Sequence, residues 1–281
     1  MSKKKRPEIP RYQTPIIETH CHLDYLDEDE LAATLIKSSE VGIERIITIA
    51  VSVDNLDKVM TLTRSANNIW GTQGIHPHEA ESYSPEVEAK IREASHDERI
   101  LAIGEIGLDY YYDHADRKIQ RQAFERQLQL AVEREMPVVI HKRDADEDTQ
   151  SILKNFSSTL RGNGVIHSFT SGLALAEFCL GEGFCLGFNG ITTFNSAENV
   201  REVVSATPIK QILLETDAPY LTPVPYRGRP NAPYYLPFIA DVVAGLKNCE
   251  IESFLEQVYA NSNALFFECD ASASIRALSE G

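Results

Sequence analysis

The chain is predicted to be a single α/β domain folded as a (β/α)8 TIM barrel, on three observations. Eight short apolar runs recur along its 281 residues, each followed by polar loop residues and then a helix-like pattern. Strands alternating with helices build parallel sheets, and eight such units suggest closure into a barrel. Neither a Gly-x-Gly-x-x-Gly nor a Walker sequence is present, which weighs against an open nucleotide-binding sheet.

The expected strands are "PIIETH" (15–20), "ERIITIA" (44–50), "IWGTQGI" (69–75) and "ILAIGEI" (100–106). Four more follow: "PVVIHK" (137–142), "GVIHSF" (164–169), "FCLGFNG" (184–190) and "QILLETD" (211–217). Between them, "DEDELAATLIKSSEVG" and "DRKIQRQAFERQLQLAVEREM" read as amphipathic helices. In the second, Phe124, Leu128 and Ala131 recur at helical spacing while Arg and Glu fill the other faces. "LALAEFCLGEG" and "AENVREVVSAT" read as further helices. After Thr222 come four prolines before Pro237, then two helical patterns expected on the outside of the barrel. No low-complexity linker divides the chain. Residues 15–268 are therefore taken as the barrel, flanked by a basic N-terminal tail (1–14) and a C-terminal tail (269–281).

Composition narrows the function classes. A hydrophobic content of 43% supports a substantial core. No apolar run reaches the roughly 18 residues of a membrane span. "MSKKKRPEIPRY" is basic but no apolar segment follows it, so it reads as a solvated tail rather than a secretory signal, with a weak polyanion-binding arm as the alternative. The five cysteines are scattered without a C-x-x-C pair, which argues against a disulfide framework and fits a reducing cytoplasm. A net charge of −15 opposes nonspecific binding of nucleic acid over the whole surface, yet permits a local basic patch or carboxylates neutralised by cations.

"IIETHCHLDYL" (16–26) sets His20 and His22 two residues apart at a strand end, where i and i+2 share a face. Alone, such a pair is more often a surface feature near a turn than a metal site. The other strand ends change that weighting. His76 and His78 follow the third strand, Glu105 ends the fourth, His141 the fifth, His167 the sixth and Asp217 the eighth. Each has a structural explanation: Glu105 could satisfy donors near a glycine turn, Asp217 could cap a segment, and His141 could be a buried hydrogen-bonded ring. Jointly those explanations fail, because gathering so many ionisable groups at one barrel mouth is costly without a metal or mutual pairing. His96 and His114 lie outside the pattern.

Imidazoles and carboxylates without thiolate suit Zn, Mn, Fe or Co, and accommodate Mg. The donors exceed one tetrahedral ion but suffice for two divalent ions about 3.5–4 Å apart, with Glu105 as the bridge. Such a centre supplies hydroxide near neutral pH, with Asp217 as a candidate general base, and hydrolysis is the natural reaction class. Lys142, Arg143, Arg227 and Arg229 fall in loops at the same mouth and would form a cationic rim for phosphate. Tyr111, within the run Tyr110–Tyr112, could stack an unpaired base. A structural pair of Arg143 with Asp144 is the alternative use of that arginine.

With these residues assembled, the chain resembles the TatD family of metal-dependent deoxyribonucleases, within the amidohydrolase-like barrels. The matching segments are "THCHLD", "GIHPHEA", "AIGEIGLDYYYD", "PVVIHKRDAD", "VIHSFTSG", "LLETDAPYLTPVPYRGRPN" and "NSNALF", in the family's order from residue 19 to about 266. The resemblance implies a (β/α)8 barrel and phosphodiester hydrolysis with Mg- or Mn-type ions, often as a 3′ to 5′ exonuclease. It implies metal ligation by His20, His22, Glu105, His141, His167 and Asp217, with His76 facing the scissile phosphate. Two departures stand out: Glu18 where Asp is usual, and Ala232 where a Glu is expected after Asn231. The expected activity is thus a DNase acting on single-stranded or frayed ends, as a monomer by default. The alternatives are a metal hydrolase of small amides, esters or phosphoesters on the same barrel, and a non-catalytic binding module.

Overall fold

Isoleucine and valine crowd the short apolar runs, and their branched side chains favour a pleated, packed backbone. In the computed structural model, which describes residues 6–268, those runs form one eight-stranded parallel sheet. The strands are β1 (Ile16–Cys21), β2 (Ile43–Thr48), β3 (Ile69–Gln73) and β4 (Ile100–Asp109). They continue with β5 (Val138–Arg143), β6 (Gly164–Ile166), β7 (Cys185–Phe188) and β8 (Ile212–Leu214). Each pairs with the next in chain order. The ring closes between β8 and β1 through a parallel bridge of Cys21 to Ala218, in which His22 N donates to the Ala218 carbonyl at 2.8 Å. The result is a (β/α)8 barrel, as expected.

The helices are α1 (Glu28–Glu40), α2 (Leu56–Ser65), α3 (Pro85–Ala94), α4 (Arg117–Arg134) and α5 (Asp146–Asn155). Then come α6 (Leu173–Gly181), α7 (Glu198–Ala206), α8 (Leu236–Leu246) and α9 (Ile251–Phe266). Local chemistry starts several of them. Asp27 and Glu30 form a reciprocal capping box on α1, and Asp116 accepts from two backbone amides of α4.

Alternation along the strands sorts the core into two layers. Ile46, Ile103, Val138, Ile140 and Ile166 pack with helix residues such as Phe124 and Val203, between barrel and helices. Their neighbours Ile47, Ala102, Val139, Val165 and Leu213 form a separate cluster inside the barrel, joined by Leu265 and Phe266 of α9. Cys21 belongs to the outer layer, with Sγ 3.7 Å from the Ile47 carbonyl. On a period-two strand this turns His20 and His22 inward.

Three expectations change. Glu105 does not end its strand: β4 runs four residues further to Asp109, with a register shift against β5 between Gly104 and Ile106. β8 is short, because beyond Leu214 the chain turns towards β1, where Asp217 takes a φ of 57° and its amide donates to the His20 carbonyl. The N-terminal stretch is not a solvated tail between residues 6 and 14. Gln13 and Thr14 amides donate to the Glu252 carboxylate, Tyr12 bonds Asp241, and Ile9 packs against the cluster of Ala232, Tyr235 and Phe238. The expected C-terminal tail (269–281) lies outside the described residues. Cys21, Cys179, Cys185 and Cys249 are all free. Among the described residues no helix is long and apolar enough to cross a membrane.

Candidate metal centre

Glu105 is nearly fully buried, and its two oxygens face different partners. Oε2 lies 3.4 Å from His20 Nε2. Oε1 lies 2.8 Å from His167 Nε2, 2.9 Å from His141 Nδ1 and 3.4 Å from His76 Nε2. Asp217 Oδ1 stands 3.5 Å from His22 Nε2 and 3.7 Å from His20 Nε2. The six expected metal ligands and His76 therefore meet in one cluster. Three overlapping triads have donor atoms close enough to share an ion: His20–His22–Asp217, His20–Glu105–His167 and His76–Glu105–His141. Glu105 is common to two of them and His20 to two, an arrangement suited to adjoining cations.

The donor set fits a bound cation on a second ground. Both ring nitrogens of His20, Nδ1 of His22 and Nδ1 of His167 are buried without a hydrogen-bond partner. Buried polar atoms are normally satisfied, and the unpartnered His20 Nε2, facing both Glu105 and Asp217, is what a divalent ion would engage.

Electrostatics keeps the carboxylates ionised. Burial pushes Glu105 upwards, but the charges of His167 and His76 and hydrogen bonds from His141 and His167 carry it well below the usual carboxylate range. Asp217 is lowered too, because His22 and His20 outweigh its burial. The rings divide. Burial and the neighbouring His141 hold His76 well below an ordinary histidine, and burial with His167 lowers His20. Burial opposes charge on His167, His141 and His22 as well, yet Glu105, Asp109 and Asp217 raise all three.

Behind these residues lie acidic groups that the sequence reading left without a role: Asp109 and Glu215 went unnamed, and Glu18 stood only as a departure. Asp109 Oδ2 accepts from both His78 Nε2 at 3.0 Å and His141 Nε2 at 3.1 Å, while Oδ1 accepts the amides of Tyr111 and Tyr112. Glu215 Oε1 accepts from Ser168 N and Asn189 Nδ2 and lies 3.5 Å from His167 Nδ1. Glu18, pushed up to about 8 chiefly by burial, accepts from the amides of His20 and Thr216 and so ties β1 to the segment after β8. The signal was available. Glu18, His20 and His22, then Glu105 and Asp109, then Glu215 and Asp217, sit at even spacings that point to one face. Gly107, between Glu105 and Asp109, has φ +141°, and a Cβ there would lie 2.0 Å from the His141 carbonyl oxygen. Only glycine lets β4 approach β5 closely enough to bring Glu105 and Asp109 to His141.

The rim differs from expectation in part. Lys142 is buried and bonds Asp146 and Ser171, so it is not a phosphate-facing cation. Arg143 does not pair with Asp144. Its guanidinium lies 3.8 Å from the Tyr111 ring centroid and 4.7 Å from that of Tyr112. Arg227 is exposed, with its guanidinium 3.8 Å over Phe194, and Arg229 is also exposed. Tyr111 is exposed beside Tyr112. His114, set aside in the sequence, stacks on Tyr112 and lies 4.7 Å from the His78 ring, whereas His96 bonds Arg134 away from the centre. Ala232 is buried against Tyr235 and Phe238 and lines a cleft of about 240 Å³ next to His22.

Comparison with known proteins matches this picture. Residues 17–267 fit the family model described as TatD related DNase. The uncharacterized metal-dependent hydrolase YabD of Bacillus subtilis is 35% identical over 252 residues, covering 89% of this chain and 98% of its own. A 3′-5′ ssDNA/RNA exonuclease, TatD of Erwinia amylovora, is 36% identical over 236 residues, covering 82% of this chain and 91% of its own. Among solved structures, the TatD homologue YjjV from Escherichia coli superposes with a TM-score of 0.84 at 28% identity, covering 89% of this chain and 97% of that one.

Proposed function

The chain belongs to the TatD related DNase family of metal-dependent hydrolases, and from that premise we propose that it hydrolyses phosphodiester bonds in DNA, as a 3′ to 5′ exonuclease on single-stranded or frayed ends. The observation that carries the reading is Glu105, whose two carboxylate oxygens face separate sets of imidazoles and so suit a bridge between two divalent ions. The exonuclease name of the Erwinia relative supports the substrate class.

In this reading His20, His22, Glu105, His141, His167 and Asp217 would hold two ions, of which Mg or Mn would best suit the reaction. When bound, such ions polarise phosphoryl oxygens and lower the pKa of water. The chain's own residues do the rest. Asp217 takes the proton of the attacking water at its carboxylate, which His22 and His20 hold ionised. His76, kept neutral by burial and by His141, offers its ring to a non-bridging phosphate oxygen. Arg143 and Arg227 supply cationic contacts to neighbouring phosphates, and Tyr111 a face for a base. The free cysteines fit a reducing, cytoplasmic setting.

The test uses oligonucleotides labelled at the 3′ or the 5′ end, single- and double-stranded, with Mg, Mn or Zn. EDTA-sensitive release of mononucleotides from the 3′ end, lost in Glu105→Ala and Asp217→Ala, is the expected result. DNA left intact with every ion overturns the substrate. A parallel panel of small phosphodiesters, esters and acylated amines would then reveal a small-molecule hydrolase.

A further inference from the structure

Seven large apolar side chains are exposed among the described residues, and four of them are tyrosines at the barrel mouth: Tyr25, Tyr111, Tyr112 and Tyr220. They form two pairs. Tyr111 and Tyr112 follow β4 and adjoin Arg143 of β5. Tyr25 follows β1, and Tyr220 follows β8. In a closed ring of eight strands in sequential order, the β8/β1 seam lies diametrically across from the β4/β5 seam. The two aromatic pairs therefore stand on opposite walls, with the candidate metal centre between them.

Both pairs are built, not merely exposed. The Tyr220 hydroxyl donates to the Tyr25 hydroxyl at 3.1 Å, and the rings meet edge to face with centroids 6.0 Å apart. Each also meets the His22 ring edge to face, at 6.0 and 6.2 Å. Tyr220 N donates to the Asp217 carbonyl, and the amides of Tyr111 and Tyr112 donate to Asp109. Each platform is thus anchored to a carboxylate residue of the site, yet its rings keep about half of their surface in solvent: 55% for Tyr25, 49% for Tyr220, 57% for Tyr111 and 51% for Tyr112. Arg143 lies over Tyr111 and Tyr112 and His114 stacks on Tyr112, so on that wall the remaining face of Tyr111 is the one offered to an unpaired base. Tyr25 and Tyr220 have no cation over them among the described residues. A half-exposed, conformationally fixed ring receives a base at small entropic cost.

We propose that Tyr25 and Tyr220 form a second base-stacking platform, opposite Tyr111 and Tyr112, so that an unpaired DNA strand crosses the mouth with bases stacked on both sides of the scissile phosphate. This deepens the nuclease reading and rests on it. It explains a demand for single-stranded or frayed ends, because bases in a duplex have no free faces to give to either wall.

The test scans a single abasic tetrahydrofuran residue along a labelled single-stranded oligonucleotide, using the metal-loaded full chain. Wild-type kcat/KM is expected to fall about 5- to 150-fold at one position on each side of the cleaved bond, the range that one stacked base is worth. Tyr220→Ala and Tyr25→Ala should remove the sensitivity on one side, and Tyr111→Ala that on the other. Tyr220→Trp should restore it, with melting temperature and metal content unchanged throughout. Intact DNA with wild-type protein removes the nuclease premise and this inference together. DNA cleaved with a profile that Tyr220→Ala and Tyr25→Ala leave unaltered overturns this inference alone.

Discussion

The carboxylate of Asp109 stands between two imidazoles, 3.0 Å from Nε2 of His78 and 3.1 Å from Nε2 of His141. The bond to His141 leaves that ring's Nδ1 directed at Glu105. A carboxylate behind a ligand ring fixes its tautomer and orientation, and losing one typically costs about 10- to 100-fold in metal affinity. Asp109→Asn should therefore weaken Mn binding by that amount in calorimetry while the barrel melts near the wild-type temperature. Unchanged affinity would confine Asp109 to holding the Tyr111–Tyr112 turn.

Metal binding should strengthen with pH. Glu105 and Asp217 are depressed, so both stay ionised and add no acid limb of their own above the usual carboxylate range. His167, His141 and His22 are raised, so the metal-free protein keeps their protons to higher pH than ordinary histidines would. A cation needs the neutral ring and must displace those protons. Apparent affinity should rise as pH climbs through the histidine range and level off above it. Calorimetry in buffers of different ionisation enthalpy should show proton release on binding, and a pH-independent affinity would contradict the assignment.

Neighbouring cations on β5 should respond differently. Lys142 is buried against Ser171 and Asp146, so Lys142→Ala removes the donor both share and empties a buried volume. It should cost about 1–3 kcal/mol of stability, read by urea denaturation, with Ser171 still donating to the part-exposed Asp146. Arg143→Ala frees no buried partner. It should raise KM for DNA while leaving the unfolding midpoint within about 0.5 kcal/mol of wild type. The reverse pattern would mean that the rim is organised around Lys142.

Gly107→Ala should be costly for a residue so small. The new Cβ would meet the His141 carbonyl at a distance no van der Waals contact allows, at a φ that L-residues avoid. Overpacking with backbone strain suggests about 2–4 kcal/mol of destabilisation. Metal content should fall with it, because β5 must move away carrying His141.

Much of this was legible because strands buried on both faces read as short apolar runs. Those runs located all eight strands to within a few residues, and their C-terminal ends brought His20, Glu105, His141, His167 and Asp217 to one mouth. Burial on the outer helices is a fainter record: α1 buries only Thr34 and Ser38, and α3 only Ile91. Asp109 and Glu215 sit at the same even spacing as the residues chosen, but nothing local separates a carboxylate facing an ion from one behind a histidine. Lys142 and Arg143 look alike in the chain. In the fold the first is buried, bonding Asp146 and Ser171, the latter 29 residues away. His114 likewise needs the fold of the Tyr112 loop to reach His78.

The seam at which the barrel closes has a consequence for the order of events during synthesis. His20 and His22 leave the ribosome before β2, while Asp217, whose amide bonds the His20 carbonyl, emerges only after seven further strands have been made. A nascent chain lacking β8 has neither the closing hydrogen bonds nor the carboxylate facing His22. It therefore cannot assemble the full donor set. The donor set is therefore completed in one late step, when the segment after β8 closes on β1.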